Sequence, residues 1–216
     1  VSYTLHRLDL RPDLNELYGR LHKSCIRRKI QRAVREGLTY EAGNSHSLLA
    51  HLYHLVCITR ARHRLPPQPI KWFRNLCAAM GTNACIRVAF KEGQPVAGSL
   101  TLREGKHLVY KYGASDTVFN QSGGMPMLIW ETIKEAKQEG VESLDMGRSD
   151  LDNPGLIIFK ERWGAECFTL TTWQAPGQCP LPNREWWIGQ QARGLFSRMP
   201  KRVQALAGRL LYRHIG

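Results

Sequence analysis

The fold is decided by one stretch, Tyr112–Gly164, which reads YGASDTVFNQSGGMPMLIWETIKEAKQEGVESLDMGRSDLDNPGLIIFKERWG. A loop with two glycines, Asn120–Gly124, opens directly into a segment with apolar residues at helical spacing, which ends at Gly140. A short buried strand, a polar turn and a second helix after Pro154 follow. A glycine loop that enters a helix N-terminus directs unpaired N–H groups at one point, which suits a phosphate. The stretch therefore predicts an anion-binding loop between a strand and a helix.

The segments on either side of this stretch predict an α/β (α+β) fold with a mixed, mainly antiparallel central sheet flanked by helices. Three runs before it alternate between apolar and polar residues and are separated by short glycine-containing turns, which is typical of consecutive antiparallel strands. Helical spacing precedes them over Ser45–Arg62 and Ile70–Met80. Helices covering a mixed sheet are the packing that this order favours. The predicted strands are Ser2–Leu8, Leu38–Ala42, Ala84–Phe90, Pro95–Arg103, Lys106–Tyr112, Ser143–Gly147 and Glu166–Trp173.

Composition divides the 216 residues into three parts. Residues 1–173 are predicted to form one domain, and residues 174–185 are rich in proline and glycine, as linkers are. Residues 186–216 carry apolar and basic residues at helical spacing, which predicts basic amphipathic helices. Such helices either pack on a core or lie on an anionic membrane surface.

The positive charge is concentrated at the two ends of the chain. The net charge is +13, and residues 1–37 hold nine Lys and Arg against four acids. This distribution indicates an anionic partner, which is a nucleic acid, a phospholipid surface or a phosphorylated substrate. The densest basic stripe includes Arg28 and Arg32, and it is either a solvated helix face or a contact surface for phosphates.

Six scattered cysteines without a C-x-x-C pair indicate reduced thiols and hence the cytoplasm. The longest apolar run, Leu48–Ile58, is too short to cross a bilayer, so peripheral contact with the inner face of the membrane is the remaining membrane option. His51, His54 and Cys57 fall three residues apart, but nothing completes a four-ligand set, and no metal site is predicted.

Four local motifs give the chain a family resemblance. Tyr112–Asp116, Asn120–Gly124, Asp145–Arg148 and Phe159–Gly164 together resemble the FemAB-like branch of the GCN5-related N-acetyltransferases (GNAT). That branch includes aminoacyl-tRNA-dependent peptidoglycan transferases and acyltransferase-like proteins of exopolysaccharide and exosortase loci. The resemblance implies acyl transfer from a thioester or an aminoacyl ester to an amine or hydroxyl. It also implies that this chain is the C-terminal unit of a two-unit protein and packs on a second GNAT unit.

The resemblance implies where the donor binds. In GNAT enzymes the pyrophosphate of coenzyme A lies on the loop that opens the central helix. Pro126 stands where the family pattern has its second glycine and removes one N–H from this loop. The donor is therefore acyl-CoA or, as in the FemAB-like transferases, aminoacyl-tRNA. The loop residues implied are Gln121, Ser122, Gly123, Gly124 and Met125.

The resemblance also implies the transfer site. Lys160 matches the lysine of the Phe-Lys pair at the transfer site of FemAB-like proteins, and its ammonium could stabilise an oxyanion or protonate the leaving oxygen. Otherwise Lys160 is a surface lysine on a short helix. Phe159 packs behind it or holds a ligand ring, and Asp145 orients the acceptor or acts as its base. The residues expected to bind substrate or anion are Tyr112, Arg148, Arg28 and Arg32, and the alternative acids are Asp116, Asp150 and Asp152.

Two functions follow from these observations. The first is an acyl or aminoacyl transferase that acts on a cell-envelope or polysaccharide precursor. The alternative is a catalytically inactive basic module that binds tRNA or an anionic membrane surface. Salt dependence of binding distinguishes a module that works through charge alone.

Overall fold

The computed structural model describes residues 2–173, which form one seven-stranded sheet with helices packed on it. The strands are β1 (Ser2–Asp9), β2 (Thr39–Gly43), β3 (Ala84–Lys91), β4 (Gln94–Glu104), β5 (His107–Ser115), β6 (Ser143–Asp150) and β7 (Glu166–Thr171). The helices are α1 (Leu14–Arg20), α2 (Arg28–Arg35), α3 (His46–Arg62), α4 (Ile70–Met80), α5 (Gly124–Gln138) and α6 (Pro154–Glu161).

The sheet has the order β2-β3-β4-β5-β6-β1-β7, and its neighbouring strands are antiparallel except for the parallel pair β5–β6. This confirms the predicted mixed, mainly antiparallel sheet. The parallel register covers only His107–Val109 against Ser143–Asp145, although both strands continue beyond it. Backbone pairing between β5 and β6 therefore ends in the middle of the sheet.

Successive side chains of a strand point to opposite faces of the sheet, so the strands pack against helices on both faces. On β3, Ile86 and Val88 pack with α3 and α4, whereas Ala89 packs with residues of α2 and α5. Side chains start several helices by accepting a first-turn N–H, as Asp13 does for α1 and Ser45 for α3. The sheet is thus buried on both faces over its central strands.

A buried ion pair ties α5 to the sheet. Arg87 of β3 donates to Glu135 at 2.6 Å and to the hydroxyl of Thr101 at 2.9 Å. The hydroxyl of Tyr40 donates to the same carboxylate at 2.7 Å, and burial together with this carboxylate raises the pKa of Tyr40. The guanidinium of Arg87 thereby gains a charged and a neutral acceptor in place of water.

Several predicted boundaries need correction. The helix expected over Ser24–Glu36 begins as a π-helical turn, Lys23–Arg27, before α2. The polar turn expected from Arg148 onward begins later, because residues 148–150 continue β6 by pairing with β1. Within residues 2–173, no helix is long and apolar enough to cross a membrane. The predicted linker 174–185 and the predicted helices 186–216 lie outside the described residues.

Candidate active site

The glycine loop that the sequence predicts lies at the start of α5. Asp116 caps a 3-10 turn, Thr117–Ser122, by accepting the N–H of Val118 at 3.0 Å. Gly123 then adopts φ = +83°, a left-handed conformation that glycine tolerates, and α5 begins at the next residue. No side chain caps this helix start, and its first turn holds no acid. The N-terminal end of α5 therefore keeps the positive potential of the helix dipole.

Most of this loop is covered by neighbouring elements. Ser122, Gly123 and Gly124 are buried. A side chain on Gly123 would overlap the carbonyl oxygen of Lys29 in α2 and lie 2.9 Å from its carbonyl carbon. Gly124 packs closely on β4, where a Cβ would lie 3.2 Å from the Cβ of Ala97. The predicted loop exists, but it offers less exposed backbone than an open phosphate-binding turn.

The basic stripe of α2 adjoins this loop. Arg32 donates to the backbone carbonyl of Gln121 at 3.3 Å and to its side-chain oxygen at 3.4 Å. Arg28 lies one helical turn before Arg32, and both residues are exposed. The structure thus brings two predicted anion-binding arginines beside the predicted loop, although the two segments are far apart in the sequence.

A second cluster forms where β6 bulges against β1. Leu5 pairs with Arg148 and Arg7 pairs with Asp145, so two residues of β6 stand opposite one residue of β1. The second of these two, Gly147, has φ = +76°. Its N–H donates to the carboxylate of Asp145 at 2.6 Å. Asp145 therefore shapes the bulge directly.

Lys160 is a buried group that binds this bulge. Its ammonium donates to the carbonyl of Gly147 at 2.6 Å, the hydroxyl of Ser149 at 2.8 Å and the carbonyl of Arg148 at 3.2 Å. Only 4% of the residue is exposed, so the interpretation as a surface lysine is wrong. Burial lowers the pKa of Lys160 to about 8, and the nearby negative charge of Asp145 partly opposes this shift.

The other predicted site residues lie around these two clusters. Phe159 packs on the core and contacts the ring of Trp163 edge to face, at 6.4 Å between centroids. The exposed guanidinium of Arg148 lies 4.5 Å from the centre of the Tyr3 ring. Tyr112 packs against Trp72 and Phe73 of α4, on the opposite face of the sheet from the loop. Tyr112 therefore does not join the loop cluster.

Two residues near the site are missing from the sequence-based prediction. Tyr110 donates its hydroxyl to the sulfur of Met125 at 3.1 Å, and its backbone carbonyl lies beside Gly147. It thereby connects the loop cluster with the bulge cluster, and its burial raises the pKa of its hydroxyl. His6 of β1 is fully buried opposite the bulge. A tyrosine or histidine in an alternating strand gives no sequence signal for such a place.

Among the described residues, no three His, Cys, Asp or Glu side chains come together in a way that could hold a metal ion. The ring of His51 packs edge to face on Phe90 at 5.4 Å instead. The chemistry that the two clusters can support is acid–base and electrostatic, through Lys160, Asp145 and the arginines beside the loop.

Comparison with known proteins identifies the family of this chain. The family model of the acetyltransferase (GNAT) domain matches residues 20–155. The UDP-N-acetylmuramoylpentapeptide-lysine N(6)-alanyltransferase of Weissella viridescens is 29% identical over 144 residues, which are 65% of this chain and 42% of that protein.

Two solved structures share the fold. The crystal structure of FemX matches with a TM-score of 0.68 at 18% identity, over 76% of this chain and 59% of that one. L-PGS from Bacillus licheniformis matches with a TM-score of 0.54 at 15% identity, over 91% of this chain and 66% of that one. The chain thus spans less than half the length of the alanyltransferase and about three fifths of FemX.

Proposed function

This chain belongs to the GNAT acetyltransferase family, in its FemAB-like branch, and we propose that it transfers an acyl or aminoacyl group to an amine or hydroxyl of a cell-envelope precursor. The observation that carries the proposal is the meeting of Lys160 and Asp145 at the bulge of β6. A cation and a carboxylate beside one irregular strand edge give the charge and proton transfer that this reaction needs.

The gap between β5 and β6 is the proposed entry of the donor. Pairing of the two strands ends at Val109 and Asp145, although β5 continues to Ser115 and β6 to Asp150. Backbone groups at unpaired strand edges can bind an extended chain by hydrogen bonds. The gap opens between the loop at the start of α5 and the bulge, so a donor that enters there reaches both clusters.

We propose aminoacyl-tRNA as the donor, with acyl-CoA as the alternative. Burial of Ser122–Gly124 and the missing N–H of Pro126 leave few backbone donors for the pyrophosphate of coenzyme A. Arg28 and Arg32 are exposed beside the loop and suit the phosphates of a polynucleotide. The alanyltransferase of W. viridescens transfers an alanyl group, as its name states, which favours an aminoacyl donor here as well.

In the proposed reaction the acceptor amine attacks the ester carbonyl of the donor. A C–N bond forms, the ester C–O bond breaks, and one proton passes from the amine to the leaving oxygen. Lys160, with a pKa of about 8, can give that proton to the leaving oxygen and regain one from the amine. Its longest contact, 3.2 Å to the carbonyl of Arg148, is the one that a substrate oxygen would replace. Asp145 would hold the acceptor amine in place.

The alternative function is binding without catalysis. It is favoured by the three acceptors around Lys160, since they already take all three ammonium protons. In that case Lys160 only fixes α6 on β6, and the basic stripe of α2 is the functional surface. A peripheral contact with anionic membranes is the other form of this proposal.

Calorimetric titration of the chain with acetyl-CoA, with uncharged tRNA and with aminoacyl-tRNA tests the donor. The proposal expects tRNA binding whose salt slope falls by about one to two in an Arg28→Gln, Arg32→Gln double variant, because fewer phosphates are neutralised and fewer counterions are released. Arg11→Gln, at an exposed arginine bound to Asp9, is the matched control and should leave the slope unchanged. If the chain bound acetyl-CoA and neither form of tRNA, acyl-CoA would replace aminoacyl-tRNA as the proposed donor.

Turnover then separates catalysis from binding. Lys160→Met should abolish aminoacyl transfer while tRNA affinity remains, because Arg28 and Arg32 lie on α2 and not at the bulge. Full transfer by a folded Lys160→Met protein would refute the catalytic proposal and leave the binding module.

A further inference from the structure

His6 is a buried histidine whose ring has no hydrogen-bond partner among the described residues. The residue is fully buried in the middle of β1, and neither Nδ1 nor Nε2 contacts a donor or acceptor there. A neutral imidazole carries one N–H donor and one acceptor nitrogen. Leaving both unpaired inside a protein is costly, so native structures pair such groups with protein or with ordered water.

The strand register places this ring beside Lys160. His6 and Thr4 lie on the same face of β1, because alternate residues share a face. Thr4 pairs with Ser149, whose hydroxyl accepts a hydrogen bond from Lys160. His6 itself stands opposite the bulge that contains Gly147, whose carbonyl also accepts from Lys160. The imidazole and the ammonium therefore reach the bulge from two different elements, β1 and α6.

A third unpaired polar atom belongs to the same region. Trp163 lies two residues after the end of α6, and its backbone N–H donates to the carbonyl of Lys160 at 3.1 Å. Its indole is fully buried in the core that also contains Leu8 of β1, and Nε1 has no partner among the described residues. A buried water needs two to four polar partners, and the two ring nitrogens of His6 and the indole N–H of Trp163 are three candidates for one.

We propose that His6 is a positioning residue of the transfer site, which together with Nε1 of Trp163 binds an ordered water beside the ammonium of Lys160 and thereby fixes where that ammonium lies. The water would accept a hydrogen bond from the indole and exchange hydrogen bonds with the imidazole. Its oxygen could take over the ammonium proton that now goes to the carbonyl of Arg148, the longest of the three contacts of Lys160. Lys160 could then turn toward a substrate oxygen without leaving its charge unsolvated.

The charges around His6 keep its ring neutral for this task. Lys160 and Glu161 face it from α6, Ser149 from β6 and Cys167 from β7, where it is the register partner of His6. Burial lowers the pKa of His6, the ammonium of Lys160 lowers it further, and Glu161 acts in the opposite direction. A neutral ring can both donate to and accept from a water at pH 7, which a charged ring cannot do.

The test compares His6→Leu with His6→Gln in the whole chain and reads two quantities. The pKa of Lys160 is followed by NMR of isotope-labelled lysine, and the unfolding temperature is followed by calorimetry. His6→Leu should lower the pKa of Lys160 further, by roughly one unit, because the ammonium loses the water. The same variant should unfold at a temperature lower by roughly 2–8 °C, because the water is lost and the buried indole N–H of Trp163 is left without a partner.

The glutamine variant is the control for polarity. His6→Gln keeps a donor and an acceptor and should leave the pKa of Lys160 close to its value in the original chain. If His6→Leu does not fold, Trp163→Phe removes Nε1 alone and should shift the pKa of Lys160 in the same direction by less. An unchanged pKa of Lys160 in the folded leucine variant would overturn the proposal.

The catalytic half of this inference rests on the proposed function, whereas the pKa measurement does not. If transfer is observed, His6→Leu should move the alkaline limb of its pH profile downward together with the pKa of Lys160. A shifted pKa without any transfer in the original chain would uphold the role of His6 and refute the proposed function instead.

Discussion

Gly123→Ala tests whether the contact between α2 and the loop stabilises the proposed donor site. Gly123 has φ = +83°, and a side chain there would overlap the carbonyl oxygen of Lys29. Gly140, just after α5, has φ = +73° and no atom within 4 Å of the position that a methyl group would take, so Gly140→Ala is the matched control. The two variants share the backbone strain and differ only in the overlap.

The magnitude follows from these two terms. A residue with a side chain in the left-handed region costs about 1–2 kcal/mol relative to glycine. Overlap with a packed backbone adds roughly 1–3 kcal/mol, because α2 must move away from the loop. We therefore expect Gly123→Ala to lower the free energy of unfolding by about 2–5 kcal/mol and Gly140→Ala by about 1–2 kcal/mol.

Urea unfolding followed by circular dichroism measures both losses. Because the slope with urea is typically about 1–3 kcal/mol per molar, the difference between the variants should be visible as separate midpoints. A displaced α2 also moves Arg28 and Arg32 relative to Gln121, so Gly123→Ala should weaken the proposed tRNA binding, whereas Gly140→Ala should not. Equal losses of stability in the two variants would refute the close contact of α2 with this loop.

Three further predictions concern charges. The pKa of Lys160 is about 8 in the folded protein and 10.5 without perturbation, so the unfolded chain binds more protons between these two pH values. The free energy of unfolding should therefore rise with pH across this window. Urea titrations should find that Lys160→Met removes this rise. Arg87→Met should cost roughly 3–5 kcal/mol in calorimetry because it leaves Glu135 without its buried partner, whereas Arg103→Met, at a more exposed pair, should cost less than about 1 kcal/mol. Asp145→Asn keeps an acceptor but removes the charge that raises the pKa of Lys160, so NMR should find that pKa lower still, and an unchanged value would contradict the contact.

Sequence periodicity predicts which helices and strands form, but not the residues at which they end. The apolar spacing after Gly124 predicts α5 correctly, because one face of a helix must meet the core. Residues 148–150 look like a polar turn, yet they continue β6, because their pairing partners lie at the start of the chain. A strand held by a distant partner leaves no local pattern, so the bulge and its hydrogen bonds cannot be predicted from the sequence.

Contacts with residues that are distant in sequence also limit how much of the site can be predicted. The glycine loop can be located from its own residues, but its burial depends on Lys29 and Ala97, which are distant in sequence. The family resemblance identifies Lys160, while its three acceptors come from a strand that bulges at Gly147. Sequence reasoning proposes which residues carry chemistry, and only the assembled sheet shows which hydrogen bonds those residues already make.

Tyr110 lies between the loop cluster and the bulge cluster and contacts both. Its hydroxyl binds Met125 at the start of α5, while its backbone runs beside Gly147 of the bulge, so a single residue of β5 contacts both edges of the gap between β5 and β6. In the proposed function, binding of the donor phosphates and transfer of the acyl group are therefore separate tasks on either side of one strand. Changes on α2 should alter affinity with little effect on the rate of transfer, and changes at Lys160 should do the reverse, because the rigid strand between them keeps each cluster in place when the other is altered.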